Sequence, residues 1–328
     1  MLRASTTFHP LSTHAKSQGL WYPDGNIVIK VDNTYYKLLA SRLALYCGYF
    51  EKVLQNGAED AAGASRSGET VDGCPVVNVT DITASEFETF ASYLEKPLDH
   101  PVANAKMKTI LVILRVSDVL SCPSLHDLAK ARLRSLWWSS PIPRRKDNID
   151  ILLRMSDQHT LDAAMAIFLA RRYKIDHVLK RAFYDILCKV SDWDNAESRT
   201  RLRLPLSDAD IIILFQARSA LLRRWRELLM TPPNGNEPEP ACIACATVRE
   251  YGEAERPWRR EVADKFGPRE PNDFFWEIEN VVLPWIEQLR TEGRWCHSCL
   301  DDRQHAWEDV RELWWQQLDE LFETGESA

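Results

Sequence analysis

Cys242-Ile-Ala-Cys245 and Cys296-His-Ser-Cys299 are the residues whose types and spacing are best suited to chemistry in this chain. Two residues between thiols let both sulfurs turn toward one point, and two such pairs supply the four thiolates of a tetrahedral zinc site. Zinc holds its thiols deprotonated, so Cys242, Cys245, Cys296 and Cys299 would serve as anionic ligands. Four protein ligands leave no open position for a substrate, which makes such a Zn2+ structural. The compact zinc spacing leaves roughly 15–20 residues between pairs. Here fifty intervene, enough for two helices, in "TVREYGEAERPWRREVADKFG" and "DFFWEIENVVLPWIEQLRT", to leave and return. On that view the metal clamps the base of a helical hairpin and closes a long loop that otherwise carries an entropic cost. Three other readings stay open: four unmetallated thiols, a redox CxxC, which generally sits at a helix start in a βαβ setting, and His297 in place of one cysteine.

The other cysteines, Cys47, Cys74, Cys122 and Cys188, lie among apolar residues and read as small core side chains. No apolar core follows a basic start as in a secretory signal, and no stretch approaches the ~20 apolar residues needed to cross a bilayer. The expectation is an intracellular protein of nucleus or cytoplasm with no membrane partner, its thiols reduced and without a disulfide framework. Residues 1–20 lack acids and carry Arg3 and Lys16. They read as a disordered leader rather than a mitochondrial presequence, because their apolar residues do not line up on one helical face.

With 328 residues the chain exceeds what one core usually holds, and 45% apolar with 27% charged residues is a globular composition. A formal charge of −7 argues against a generally basic nucleic-acid surface. The short clusters Arg144-Arg145-Lys146, Arg171-Arg172 and Arg223-Arg224-Arg226 read as solvated helix faces. Catalysis finds little support: there is no Gly-rich phosphate loop, nucleophile elbow or HExxH, and the histidines at 9, 14, 100, 126, 159, 177, 297 and 305 are not grouped with acids.

The elements that must position these residues begin with "GNIVIKVDNT", which alternates Ile27, Ile29 and Val31 against Val28 and Lys30 and ends in a turn; "TYYKLL" returns as its hairpin partner. "SRLALYCGYFEKVL" places Leu43, Tyr46, Cys47, Phe50, Val53 and Leu54 at helical spacing, with Ser41 as N-cap. Residues 56–73, "NGAEDAAGASRSGETVDG", read as a flexible surface insertion. "CPVVNVT" is a short strand, and a turn and helix follow in "DITASEFETFASYLE". Two more helices run from Lys108 to Trp138, broken at "SCPS", where Pro123 occupies the first turn of the second.

The order β-β-α-loop-β-α-α-α over residues 21–138 resembles a BTB/POZ domain. The likeness rests on "DGNIVIKVDNTYYKLLASRLALYCGYFEKVL", "CPVVNVTDITASEFETFASYLE" and "ILVILRVSDVLSCPSLHDLAKARLRSL", and "WYPDGNIVIKV" is especially similar to fungal members. The resemblance implies self-association through apolar burial. Many members have an aspartate where this chain has Asn26, and His followed by Lys or Arg where it has Leu39 and Ala40. Those family charges help form a pocket that in some members receives co-repressor peptides.

Beyond "SSPIPRRKDN", Leu161, Ala164, Met165, Phe168 and Leu169 form one apolar stripe, and Ile175, Val178, Leu179, Ala182, Phe183 and Ile186 a second. Residues 145–230 thus form an all-α region that resembles a BACK-type extension, with Ser207 and Asp210 opening its last helix as a capping box. Residues 231–240, "TPPNGNEPEP", read as a linker. In 241–328, an α-helical region with the four-cysteine site, Trp307, Val310, Trp314, Leu318 and Leu321 share one face that reads as core rather than a partner groove. Cysteine pairs in a tryptophan-rich tail also resemble basidiomycete BTB-containing proteins. The expected fold class is therefore α+β, then all-α.

The expected function is a non-enzymatic protein-interaction scaffold, and the resemblance implies service as a substrate adaptor on a cullin scaffold of a ubiquitin ligase. The hydrophobic-x-Glu element that adaptors often carry has no good match in residues 56–73. The alternative is a nuclear transcription regulator whose zinc region contacts nucleic acid or a co-regulator; the acidic charge of residues 242–328 weighs against the nucleic acid.

Overall fold

The computed structural model describes residues 15–56, 64–138, 142, 157–175, 177–189, 206–233, 255–293 and 295–322. The chain divides into two compact units, Met1–Leu136 and Trp137–Ala328. The first carries a small sheet with helices and the second is helical, so the α+β-then-α expectation holds at that level. Among the described residues no helix is long and apolar enough to cross a membrane.

In the N-terminal unit, β2 (Ile27–Val31) and β3 (Thr34–Leu38) form the expected antiparallel hairpin, with Asp32 at φ 51° in the two-residue turn. β5 (Cys74–Val79) runs parallel to β2. The sequence leads one to expect only these three strands; the sheet has five, in the order β1-β3-β2-β5-β4. β1 (Ala15–Trp21) pairs parallel with β3 and replaces the end of the expected disordered leader. β4 (Ala64–Val71) pairs antiparallel with β5 and replaces part of the expected flexible insertion.

The reason for the extra strands lies in β2. Ile27, Val28, Ile29 and Val31 are all fully buried, so both faces of the central strand are covered. On one face Tyr36, the cross-strand partner of Ile29, packs its ring 4.8 Å from that of Phe87. On the other, Val28, Tyr35, Cys74 and Val76 form a second cluster, closed by Trp21 of β1 and Val71 of β4. Lys16 of β1 forms an ion pair with Asp72, beside β4, at 3.0 Å. Those positions would be roughly 17–19 Å apart in a flat sheet, so the sheet curls until its edges approach.

Helices α1 (Ala40–Tyr46) and α2 (Gly48–Asn56) take the place of the single expected helix. The break falls at Cys47, whose backbone is extended, and Gly48 and Tyr49 donate their N–H groups to the carbonyls of Ser121 and Leu120. Ser41 does not cap α1. The Asn26 side chain does that work, its Oδ1 accepting from Ala40 N at 2.8 Å. Gly25 beside it is held against β3: an added Cβ would lie 2.7 Å from Lys37 Cγ and 3.0 Å from the Lys37 carbonyl carbon.

α3 (Ala84–Glu95) opens with a capping box in which Thr83 and Glu86 satisfy each other's backbone N–H groups. α4 (Met107–Val119) and α5 (Pro123–Leu136) follow, broken at the expected position with Pro123 opening α5. Cys47 and Cys122 are buried together, and a hydrogen bond between the thiols, with burial second, pushes the Cys47 thiol up.

Among the described residues the C-terminal unit holds α6 (Asp157–Tyr173), α7 (Leu179–Leu187), α8 (Asp208–Met230), α9 (Glu255–Phe266), α10 (Phe274–Glu277), α11 (Leu283–Thr291) and α12 (His297–Leu321). A π-helical turn, Ile278–Val282, joins α10 to α11. Pro284 explains that turn, since a proline clashes with the carbonyl four residues back and a widened register makes room for it. The buried face of α6 is built from Ala163, Ala164, Ala166, Ile167, Leu169 and Ala170, while Phe168, expected in the stripe, is 45% exposed. Small alanines let neighbouring helices approach closely, which a pattern weighted by bulk overlooks. Every residue of α7 from Arg181 to Leu187 is buried, which makes it the central post of the unit.

The expected separation of 145–230 from 241–328 is not a separation of cores. Trp225 of α8 lies 6.1 Å from Phe274 and 5.1 Å from Trp307, and Phe183 of α7 stacks on Phe322 at 5.2 Å. Of the expected linker 231–240, residues 234–240 lie outside the described residues. The capping box at the start of α8 is present, and Asp210 in it also holds Arg171 of α6 at 2.7 Å.

Candidate metal centre

Cys296 and Cys299 stand at the first turn of α12. Cys296 is the N-cap, half-buried, with its carbonyl accepting from Leu300 N at 3.0 Å; Cys299, inside the helix, is 2% exposed. A helix start favours negative charge on whatever it holds, through its unpaired N–H groups and the helix dipole. Cys242 and Cys245, the other two expected ligands, lie outside the described residues. Among the described residues no group of three or more His, Cys, Asp or Glu side chains is placed to hold a metal. His297 is exposed.

The tryptophans around the pair are core, as the stripe on α12 predicts. Trp295, just before Cys296, sets its ring edge-on to Trp258 at 5.3 Å, and Trp258 in turn lies 5.1 Å from Trp285. The Trp258 indole N–H donates to the Leu229 carbonyl at 2.9 Å, which anchors this aromatic cluster to the end of α8. Trp307, Trp314 and Leu318 are buried, and so is Trp315, which the stripe left out.

Sequence reasoning missed Arg303. It sits on α12 four residues after Cys299, is only 4% exposed, and its guanidinium lies over the Trp307 ring at 5.5 Å. Burial alone pulls its pKa down to about 10. No signal in the sequence marks it, because its burial appears only once α12 is packed.

Two further polar clusters belong to this unit. His159 Nε2 is 3.0 Å from Asp185 Oδ2, a pairing that residues 26 apart in sequence did not suggest. Arg181 Nε holds the same carboxylate at 3.1 Å, and the Trp137 ring lies 5.1 Å from the imidazole. The His159 contact ties α6 to α7 through the buried Asp185, and Arg181, on the same helix as Asp185, supplies that carboxylate's counter-charge. Along α8, a cavity of about 460 Å³ is lined by Phe215, Arg218, Leu222, Arg223, Arg226 and Glu270 among others. Glu270 bridges Arg218, at 3.5 Å, and Arg226, so the cavity carries its own counter-charge. No protein-family model matches the chain, and no curated protein matches it.

Proposed function

We propose that this chain is a protein-interaction scaffold built on a BTB/POZ-like N-terminal domain, with a structural zinc centre at Cys242, Cys245, Cys296 and Cys299 bracing its helical C-terminal part. The observation that carries the scaffold reading is on α1. Leu45 is 74% exposed and Tyr46 38% exposed at the end of a short helix whose first N–H is capped by Asn26, which leaves two large apolar side chains open to a protein partner. The element order of the N-terminal unit supports the family reading, for the hairpin, helical crossover, parallel strand and three helices follow in the sequence on which the resemblance rests.

The partner this face suits first is a second copy of the chain, because self-association in BTB-like domains rests on apolar burial. Sedimentation velocity of the full chain across a concentration series tests it: association is expected, and Leu45→Glu is expected to abolish it. A wild-type chain that stays monomeric throughout refutes self-association. Co-precipitation of a cullin scaffold tests the adaptor role.

A further inference from the structure

The outer face of α8 is apolar along its length and basic at its middle. Ile212, Phe215, Leu222 and Met230 fall at i, i+3, i+10 and i+18, on the side of the helix opposite the buried Leu214, Leu221 and Trp225. Ile212, Phe215 and Met230 are 55%, 42% and 43% exposed. Large apolar side chains lined up in water mark a contact surface rather than a solvated face. Ser219, Arg223 and Arg226 share this side, and with Phe215 and Leu222 they line the cavity of about 460 Å³.

The cavity's own counter-charge is incomplete. Three arginines, Arg218, Arg223 and Arg226, line it against two glutamates, Glu227 and Glu270, in a chain whose formal charge is −7. Glu270 answers both Arg226 and Arg218, the second only at 3.5 Å, and Arg223 forms no ion pair among the described residues. Arg218 is 7% exposed, and its Nη1 is a buried donor with no partner among those residues, a state that native proteins rarely leave unanswered. We infer that this face of α8 is a docking site for a short acidic peptide segment of a partner protein. The large apolar side chains of that segment cover Phe215 and Leu222, while a carboxylate pairs with Arg223 beside the buried charge of Arg218. Guanidinium suits a carboxylate because its planar fork meets both oxygens, and recognition of acidic motifs by clustered arginines is a recurring mode. Glu227 and Glu270 weigh against nucleic acid, since they repel phosphates repeated along a backbone, and an apolar row offers those phosphates nothing. The inference goes beyond the proposed self-association, for it uses neither the α1 face nor the cysteine pairs.

The test selects from random dodecapeptides displayed on phage against the full chain, with the Phe215→Ala/Arg223→Glu double variant as counter-selection. Enriched peptides are expected to carry acidic residues beside large apolar ones. One of them, labelled with fluorescein, is expected to bind the full chain in an anisotropy titration and to bind more weakly as salt rises. Arg223→Glu should weaken it at least about 10-fold, because like charges then face each other, and Phe215→Ala about 10-fold through the lost apolar anchor. Both side chains are exposed, so both variants should keep the wild-type ellipticity and Tm; should Phe215→Ala unfold, Arg223→Glu decides alone. No enrichment over the double variant, enriched peptides without acids, or affinity unmoved by Arg223→Glu overturns the inference. Tighter binding of a labelled oligothymidylate would mark a phosphate site and overturns it too. So does self-association of the Leu45→Glu chain that the double variant abolishes, since a second copy then covers this face. A wild-type chain that stays monomeric removes self-association and leaves the peptide site standing.

Discussion

Replacing Tyr184 with phenylalanine removes a single oxygen from the middle of the C-terminal unit. That hydroxyl donates to Asp273 Oδ1 at 2.7 Å and accepts from Phe275 N at 3.4 Å. Asp273 is 6% exposed, and the same oxygen caps α10 by accepting from Trp276 N at 3.0 Å. The ring contacts of Tyr184 with Phe275 and Trp315 survive in phenylalanine, so the substitution isolates the hydrogen bonds that tie α7 to α10. A hydrogen bond to a charged acceptor contributes about 1.5–3 kcal/mol. For a unit of this size each kcal/mol moves Tm by about 2–4 °C, so the expected fall is about 3–12 °C. Tryptophan fluorescence reports the unit selectively, because Trp21 is the sole tryptophan before residue 137. Asp273→Asn keeps an acceptor for Trp276 N and drops the charge, which completes a double-mutant cycle. A shift under about 1 °C in Tyr184→Phe, or a coupling below about 0.5 kcal/mol, would refute the tie.

Gly25→Ala should destabilise the N-terminal unit by about 1–3 kcal/mol, since its Cβ would sit 3.0 Å from backbone of β3; unchanged urea unfolding followed by far-UV ellipticity would contradict this. Glu86 supplies a pH test. Burial pushes its carboxyl up, but hydrogen bonds from Thr83 and Arg115 outweigh burial and leave its pKa below the ordinary 4.5. A carboxylate lowered in the folded state stabilises above its unfolded pKa, and that stability is lost as pH falls through the folded value. Glu86→Gln should therefore be less stable than wild type at neutral pH by under about 1 kcal/mol, given screening by solvent. The gap should close as the pH drops below 4.5; a gap that persists in acid rules out the carboxylate as its source.

Much of the fold was legible where local chemistry and tertiary packing agree. The alternation in Ile27–Val31, the Ser207–Asp210 capping box and the Trp307–Trp314–Leu318 stripe each point to one structure and adopt it. β4 was illegible because "ASRSGETV" has no apolar alternation, and its pairing is set by β5 and by the turn that follows. The one signal was Asp72-Gly73, whose φ values of 49° and 76° are those of the tight hairpin turn that Asp-Gly favours. The break at Cys47 was hidden for a similar reason, since the groups that satisfy Gly48 and Tyr49 arrive from Leu120 and Ser121. At the candidate centre, Cys296 and Cys299 announce themselves by spacing. Arg303 does not, because a surface arginine and a buried one look alike until the helix is packed.

The burial of α7 on every side bears on how the protein is made. Its cover includes Phe322 over Phe183 and Asp319 on Lys180, the latter pair separated by 139 positions. A ribosome therefore releases Leu179–Leu187 well before the residues that shield it exist. Until residues 314–322 emerge, Phe183 and the apolar side chains beside it on this helix lack part of their cover, and this stretch is where a nascent chain would need a chaperone's hold.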